Sequence, residues 1–276
     1  MRKKIKIKNE KTILTIFIIV LLILSFIYYH LIFYKIYAKN TFANDAVNIA
    51  EQNENPIFTV QRVLLYSSAT AVDNTKEQSL ENISISQFSD IAIYIDNTST
   101  ISELTDENTI KELYIDNINI TSNVQNGERF INYKNPLDFG EFKDLNKADR
   151  IDFKIINTNS ENENSNYSEP TFYTDCSNPI SLGYMNKDLL KNYSVSPEKK
   201  TVSFNGKVLQ EANINLEDLK CSISFTINII NNLNQKFVHT MTIDLDLNDD
   251  NGGIYNGYIY KGKTLNGVEN SFFKEI

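Results

Sequence analysis

The chain has 276 residues, of which 41% are hydrophobic, so it can hold an anchor plus one sizeable domain or two small ones. Residues 1–40 hold eight basic residues and one acidic residue, which leaves a net charge of −15 on residues 41–276. A region that acidic repels phosphate backbones, which argues against a nucleic acid as its partner.

The first predicted element is a transmembrane helix over residues 12–34, which follows a basic cytoplasmic tail at residues 1–11. The segment TILTIFIIVLLILSFIYYHLIFY has no formal charge when His30 is neutral. At ~1.5 Å per residue it spans about 34 Å, which is enough for a hydrocarbon core of ~30 Å. The apolar run is longer than a signal-peptide core and is followed by bulky residues, which favours an uncleaved anchor.

The distribution of basic residues predicts the orientation of this anchor. Six basic residues precede the apolar run, whereas only Lys35 and Lys39 closely follow it. We therefore expect a single-pass protein of the plasma membrane with a cytoplasmic N-terminus and its C-terminal domain outside. A helical stalk is predicted over residues 35–54, because this segment lacks proline and glycine, and Pro56 marks the change to extended structure.

Residues 55–276 are predicted to form an extracytoplasmic β domain. The main evidence is a long hairpin, in which residues 221–230 and 237–247 each alternate apolar and polar side chains around the turn NNLNQ. Shorter patterns predict strands near residues 57–66, 91–95, 112–120, 128–133, 151–155, 171–175, 180–185, 201–210 and 254–260. Only one segment of this region, ELTDENTIKEL at residues 103–113, has a pattern that also fits a helix.

The turns and loops of this region favour a sandwich. Five of the nine glycines follow asparagine, a pair that suits tight hairpin turns. Many short strands joined by such turns predict a mainly β protein, with an antiparallel β-sandwich carried on the long N-terminal transmembrane helix. The polar segment NSENENSNYSEP, residues 159–170, is either a long loop or a boundary between two small sandwiches.

Two motifs are typical of ligand sites. Residues Gly257–Thr264 match the phosphate-loop pattern GxxxxGK[ST], but YIYK within them has strand character and a turn follows, so no nucleotide site is predicted. Asp244, Asp246, Asn248 and Asp250 carry oxygen ligands at alternate positions, which is the pattern of a weak calcium site. The alternative is the outward face of a strand that runs into an acidic turn.

The outer region has few residues for nucleophilic catalysis. Cys176 and Cys221 are the only cysteines, and an oxidising compartment leaves a disulfide and two thiols as equal alternatives. His239 is the only histidine there, and it shares strand parity with Phe237 and Met241. We therefore expect a histidine of the core or of a strand edge rather than a catalytic base.

The predicted function follows by elimination. A hydrolase of the Ser–His–Asp type has to use His239, and the sequence contains no GxSxG motif. A glycosidase needs only two carboxylates, and the composition does not identify such a pair. The sequence thus predicts a non-enzymatic binding or structural module of the cell envelope, without a cofactor apart from the weak calcium site. Its expected partner is another envelope protein or a second copy of the chain, and a carboxylate hydrolase of wall sugars or a pilin-like filament subunit are the alternatives.

Overall fold

The computed structural model describes residues 2–54, 56–76, 79–97, 104–135, 148–157, 169–196, 198, 201–265 and 270–275. The chain divides into two compact units, Met1–Glu54 and Asn55–Ile276, the second of which we call the β unit. The protein is mainly β, with two sheets in the β unit and one apolar N-terminal helix.

The N-terminal unit is a long helix made of three consecutive parts. Helix α1 spans Arg2–Ile27, a π-helical segment spans Tyr28–Phe33, and helix α2 spans Tyr34–Glu54. Residues Lys11–Asn44 are long and apolar enough to cross a membrane. The helix ends two residues before Pro56, because a proline disfavours the helical conformation in the residue that precedes it.

The β unit has eleven strands among its described residues, arranged in two sheets. The strands are β1 (Thr59–Asp73), β2 (Ile83–Asp96), β3 (Ile110–Ser122), β4 (Glu128–Tyr133), β5 (Ile151–Ile156), β6 (Thr171–Tyr173), β7 (Ile180–Tyr193), β8 (Cys221–Asn231), β9 (Lys236–Leu245), β10 (Ile259–Thr264) and β11 (Phe273–Lys274). Sheet A has the order β10–β1–β2–β7–β4, and sheet B has the order β11–β9–β8–β3–β5–β6. All pairs are antiparallel except β5 with β6, which is parallel and departs from the predicted antiparallel pattern.

Strands from both sides of residues 159–170 meet in each sheet. In sheet A, β7 lies between β2 and β4, and in sheet B, β8 pairs with β3. Residues 55–276 accordingly form one compact unit. The predicted boundary segment itself lies outside the described residues, apart from residues 169 and 170.

The predicted hairpin of residues 221–247 is confirmed as β8 and β9. Ile223 pairs with Ile243 and Phe225 pairs with Met241, so the apolar side chains of both strands share one face. They belong to a buried cluster that also contains Ile91 and other side chains of sheet A. Burying each such side chain contributes about 1.5–3 kcal/mol, so this cluster stabilises the fold.

The predicted strand at residues 201–210 is wrong. Lys207–Glu211 form a short helix, α3, and residues 201–206 lead into it. Val208 and Leu209 are adjacent in the chain and both are fully buried. A strand with one buried face cannot bury both, because successive side chains point to opposite faces. Together with Ile85 and Leu247 they form a second buried cluster.

The helix alternative at residues 103–113 is wrong, and one predicted strand begins later than expected. The described part of the first segment, residues 104–113, contains a turn at 106–108 and the start of β3. The predicted strand 254–260 begins as a 3₁₀ turn, Gly253–Asn256, and only its end belongs to β10. Gly253 has a φ of 58°, and a Cβ there would lie 2.2 Å from the Leu247 carbonyl oxygen, so the turn requires glycine.

Strands β1, β2 and β7 are longer than predicted. The predictions were too short because polar residues occupy some buried positions of these strands and hide the alternation there. Ser67, Gln87 and Ser89 are buried in sheet A. The hydroxyl oxygens of Ser67 and Ser89 lie 2.6 Å apart, and Gln87 Nε2 donates to Ser89 Oγ at 3.1 Å. These contacts satisfy the polar groups, but they interrupt the apolar alternation that identifies a strand in sequence.

Candidate functional site

Two concavities formed by described residues of the β unit are large enough for a ligand. The edge groove lies between β9 residues 239–244 and β10 residues 261–263, with Val63 and Leu65 of β1 at its floor, and has a volume of about 650 Å³. The face pocket lies on sheet A, is lined by residues that include Tyr66, Phe88, Asp90, Lys134, Ser181 and Phe204, and has a volume of about 580 Å³. Both volumes fall in the ~300–1,000 Å³ range of small-ligand sites.

The edge groove is open because two strand edges face it without a partner strand among the described residues. β11 pairs with β9 only at Phe237 and Val238, so no described strand pairs with this edge of β9 from residue 239 onwards. β10 is the outermost strand of sheet A. Uncovered edges present backbone N–H and C=O groups that can pair with another extended chain.

The groove has an apolar floor and a charged rim. Val63, Met241 and Ile243 are nearly buried and provide the floor. Lys263 pairs with Val63 in the β10–β1 register and its side chain is exposed at the rim. An inward-facing lysine on an edge strand also discourages unspecific strand pairing.

His239 is a satisfied buried histidine, as its strand parity predicts. Its Nδ1 lies 3.0 Å from the carbonyl oxygen of Ser271, and its ring packs on Phe272 with centroids 5.2 Å apart. Burial lowers the pKa of His239, and the contact with Ser271 opposes this effect. The ring is thus held by core contacts at the end of the groove.

The acidic segment of the calcium prediction lies beside β10. Lys261 Nζ donates to the carbonyl oxygens of Asp246 at 2.9 Å and Asn248 at 3.0 Å, and lies 3.6 Å from an Asp246 carboxylate oxygen. Ser222 Oγ donates to the Asp244 carboxylate, while Asp250 lies in the following turn. The described residues contain no group of three or more His, Cys, Asp or Glu side chains that suits a metal ion. The lysine ammonium therefore lies among the oxygens of this segment, and the calcium site stays a prediction.

The two cysteines lie at opposite ends of sheet B. Cys221 begins β8, whereas Cys176 follows β6, and the register through β5 and β3 puts β6 level with the Asn231 end of β8. Ten residues of strand separate these ends, about 33 Å at ~3.3 Å per residue, and a disulfide needs Cα atoms within about 7 Å. Both cysteines are thiols, which is the second alternative left open by the sequence.

The segment that matches the phosphate-loop pattern is mostly strand. Ile259–Thr264 form β10, whose residues pair with β1 from Thr264 at one end to Ile259 at the other. An extended backbone cannot direct consecutive N–H groups at one phosphate, because they point alternately to opposite sides of the strand. Residues 259–264 therefore match the motif in sequence but do not have the geometry of a phosphate-binding loop.

The face pocket is formed by cross-strand rows on sheet A. One row runs from Tyr66 through Asp90 to Gly183, and the next pairs Ala92 with Ser181. Directly opposite residues share a face, so Asp90 lies between the Tyr66 side chain on β1 and Gly183, which has no side chain, on β7. The small residues Gly183, Ala92 and Ser181 leave a depression on one side of its carboxylate.

A buried lysine holds the carboxylate at the floor of the face pocket. Lys134 Nζ forms an ion pair with Asp90 Oδ1 and lies 4.9 Å from the centroid of the Phe88 ring. The lysine side chain is 2% exposed, whereas the Asp90 side chain is 31% exposed. Burial raises the pKa of Asp90, and the hydrogen bond and charge of Lys134 oppose this rise. The aspartate is thus the charged group that a ligand in the pocket can reach.

Aromatic rings form the wall and rim of the face pocket. Tyr66 stacks on Tyr258 with ring centroids 5.6 Å apart and an interplanar angle of 25°. Phe204, on the segment that leads into α3, is 69% exposed. The sequence prediction missed this site because it ended the alternation at Ile91. Tyr94 and Ala92 alternate with the isoleucines, and the next residue of the same parity is Asp90, which lies on the same face.

Comparison of the chain with protein-family models, with curated proteins and with solved structures gave no match.

Proposed function

We propose that this protein is a membrane-anchored binding module of the cell envelope, without catalytic activity. In this proposal residues 12–34 cross the plasma membrane, residues 1–11 are cytoplasmic and the β unit is displayed outside. The apolar N-terminal helix and the excess of basic residues before it support this arrangement. The two sheets would pack as a β-sandwich, which is supported by the buried cluster that takes side chains from both.

The open strand edges at the edge groove carry the proposal. An extended segment of a partner protein adds to the uncovered edge of β9 or β10, because main-chain hydrogen bonds to an edge provide affinity for any sequence. Its alternate side chains then enter the apolar floor formed by Val63, Met241 and Ile243. The exposed ammonium of Lys263 selects a segment that carries an acidic side chain beside the apolar ones.

The acidic residues of the two concavities support a binding role over hydrolysis. Asp244 is the one carboxylate among the described lining residues of the edge groove, and Asp90 is the one in the face pocket. Glycoside hydrolysis generally uses two carboxyl groups, about 5–9.5 Å apart, that flank one bond. A single carboxylate in each site accepts hydrogen bonds but does not provide both an acid and a base.

Site-specific crosslinking of the full-length protein in cells tests this proposal. A photoreactive amino acid replaces Thr242 on β9, and in a control it replaces Leu233, an exposed residue of the β8–β9 turn. We expect position 242 to capture one envelope protein at near-equal amount and position 233 to capture none of it. The substitution Lys263→Glu should reduce this crosslink, whereas Lys111→Glu, another exposed lysine, should leave it unchanged.

Other outcomes of the same experiment contradict the proposal. Crosslinks only to other copies of the chain favour a filament subunit, and crosslinks from position 242 only to wall glycan contradict a protein partner at the groove. Equal capture from positions 242 and 233 means that the groove does not determine binding.

A further inference from the structure

We propose that the face pocket binds an uncharged sugar residue of a glycan, with Asp90 accepting hydrogen bonds from its hydroxyl groups and the exposed aromatic rings packing on its C–H face. This site lies on the face of sheet A and has no described lining residue in common with the edge groove. The proposal is therefore independent of strand addition at that groove.

The shape of the pocket is the first observation. Asp90 lies directly opposite Gly183 on β7, and the neighbouring row has Ala92 and Ser181. On the other side, Ser68, Phe88 and Met185 form the next row across β1, β2 and β7, and the last two pack in a small buried cluster. A carboxylate at the floor of a depression, between small residues and bulky ones, has room above it for a ring-sized ligand.

The charge of the pocket is the second observation. Asp90 and Lys134 are the only charged side chains among its described lining residues, and they pair with each other. The pair is formally neutral, so the site has no net charge to attract an ion. An ionised carboxylate only accepts hydrogen bonds, and its two oxygens suit a pair of O–H donors on adjacent carbons. Phosphate-bearing ligands are disfavoured further, because residues 41–276 carry a net charge of −15.

The aromatic rim is the third observation. Phe204 is 69% exposed and Tyr66 is 37% exposed, although both line a concavity. Exposed apolar rings around a polar floor are typical of a binding site, because the rings lose contact with water when a ligand covers them. A sugar ring presents C–H groups on its faces and hydroxyls at its edge, which matches rings at the rim and a carboxylate at the floor.

Polar side chains that both donate and accept hydrogen bonds also line the face pocket, as a sugar ligand requires. Ser181, Asn135 and Asn205 line the same pocket. Hydroxyl and amide groups both donate and accept hydrogen bonds, as sugar hydroxyls do. Asn205 also fixes the segment that carries Phe204, since its Oδ1 accepts a hydrogen bond from the backbone N–H of Lys207 at 3.1 Å.

Glycan binding by the full-length protein in lipid nanodiscs tests the proposal. Nanodiscs are preferable to maltoside or glucoside detergents, because those detergents carry sugar headgroups that compete for the site. The probes are neutral gluco-, manno-, galacto- and chito-oligosaccharides, measured by titration calorimetry. We expect saturable binding of at least one class, weakened about tenfold or more by Phe204→Ala and by Asp90→Asn.

Two controls keep the test decisive. Phe273→Ala removes a partly exposed ring of β11, outside the pocket, and should leave glycan affinity unchanged. Thermal unfolding of each variant identifies loss of folding, and Phe204→Ala is informative even if Asp90→Asn unfolds, because Phe204 is mostly exposed. Absence of binding to all four glycan classes, or equal affinity of wild type and both pocket variants, would overturn the proposal.

Discussion

The ion pair between Asp90 and Lys134 stabilises the fold and also forms part of the face pocket. The ammonium is almost completely buried, and the carboxylate is only partly covered. A charge as buried as that of Lys134 is tolerated only with a partner, which explains why an aspartate occupies the position beside it.

The substitution Lys134→Met should lower the free energy of unfolding by about 1–3 kcal/mol, because it leaves the half-buried Asp90 carboxylate without its counter-charge. Adding Asp90→Leu should recover part of this loss, since an apolar pair often replaces a buried ion pair at no net cost. Urea unfolding measures both effects. If Lys134→Met costs no more than Lys111→Met at an exposed lysine, the pair does not stabilise the fold.

His239 predicts a pH dependence of stability. Its pKa is lowered in the folded protein, so the folded state binds fewer protons than the unfolded chain, whose histidine titrates near the ordinary value of 6.5. The contribution of the neutral ring is complete above about pH 6.5 and is lost as the pH falls through that value. The melting temperature of wild type should therefore drop more from about pH 7.5 to about pH 5.5 than that of His239→Gln, which stays neutral and can donate to Ser271. Equal drops would contradict this assignment.

At the scale of elements, the strands that sequence alternation identifies best are those with apolar inward residues throughout. The hairpin β8–β9 meets this condition, and its two strands agree with the prediction closely. Strands β2 and β7 carry buried polar residues such as Gln87 and Asn186, so only their apolar ends were predicted. The segment at 201–210 alternates like a strand through Val202 and Phe204, but the Asn-Gly pair that follows begins a turn and a helix.

The separation of Cys176 from Cys221 predicts that the protein has no disulfide when it is isolated from its native compartment. Alkylation under denaturing conditions without reductant should modify both thiols, and dithiothreitol should leave the melting temperature unchanged. In the folded protein Cys176 should react slowly, because burial, with a smaller contribution from Asp96, raises the pKa of its thiol to about 12. If the protein is not alkylated and its mass is two hydrogens below that of the dithiol form, the two cysteines form a disulfide.

The whole molecule consists of a helix and a β unit on either side of residue 55. Sequence identified both, because the apolar run and the change of period from helix to strand are strong local signals. The candidate sites were harder to predict, since each one is formed by strands that are distant in sequence. The edge groove requires the pairing of β1 with β10, and no local pattern contains that register.

The proposed topology predicts the result of protease digestion on spheroplasts. With one epitope tag at each terminus, external protease should remove the C-terminal tag and leave the N-terminal tag attached to the membrane. Permeabilised cells provide the control, in which both tags are exposed to the enzyme. Protection of the C-terminal tag in intact spheroplasts would contradict the extracytoplasmic position of the β unit.

The adjacency of β1 and β10 has a consequence for biogenesis. Ser67 on β1 pairs with Ile259 on β10, which is synthesised roughly 190 residues later. The outer edge of β1 therefore has no partner strand until β10 has been synthesised. At ~5–20 residues per second this delay is about 10–40 s, during which the nascent chain carries an uncovered strand. The chain therefore has to stay unaggregated until its C-terminal residues emerge, and its excess of negative charge provides the repulsion that keeps neighbouring nascent chains apart.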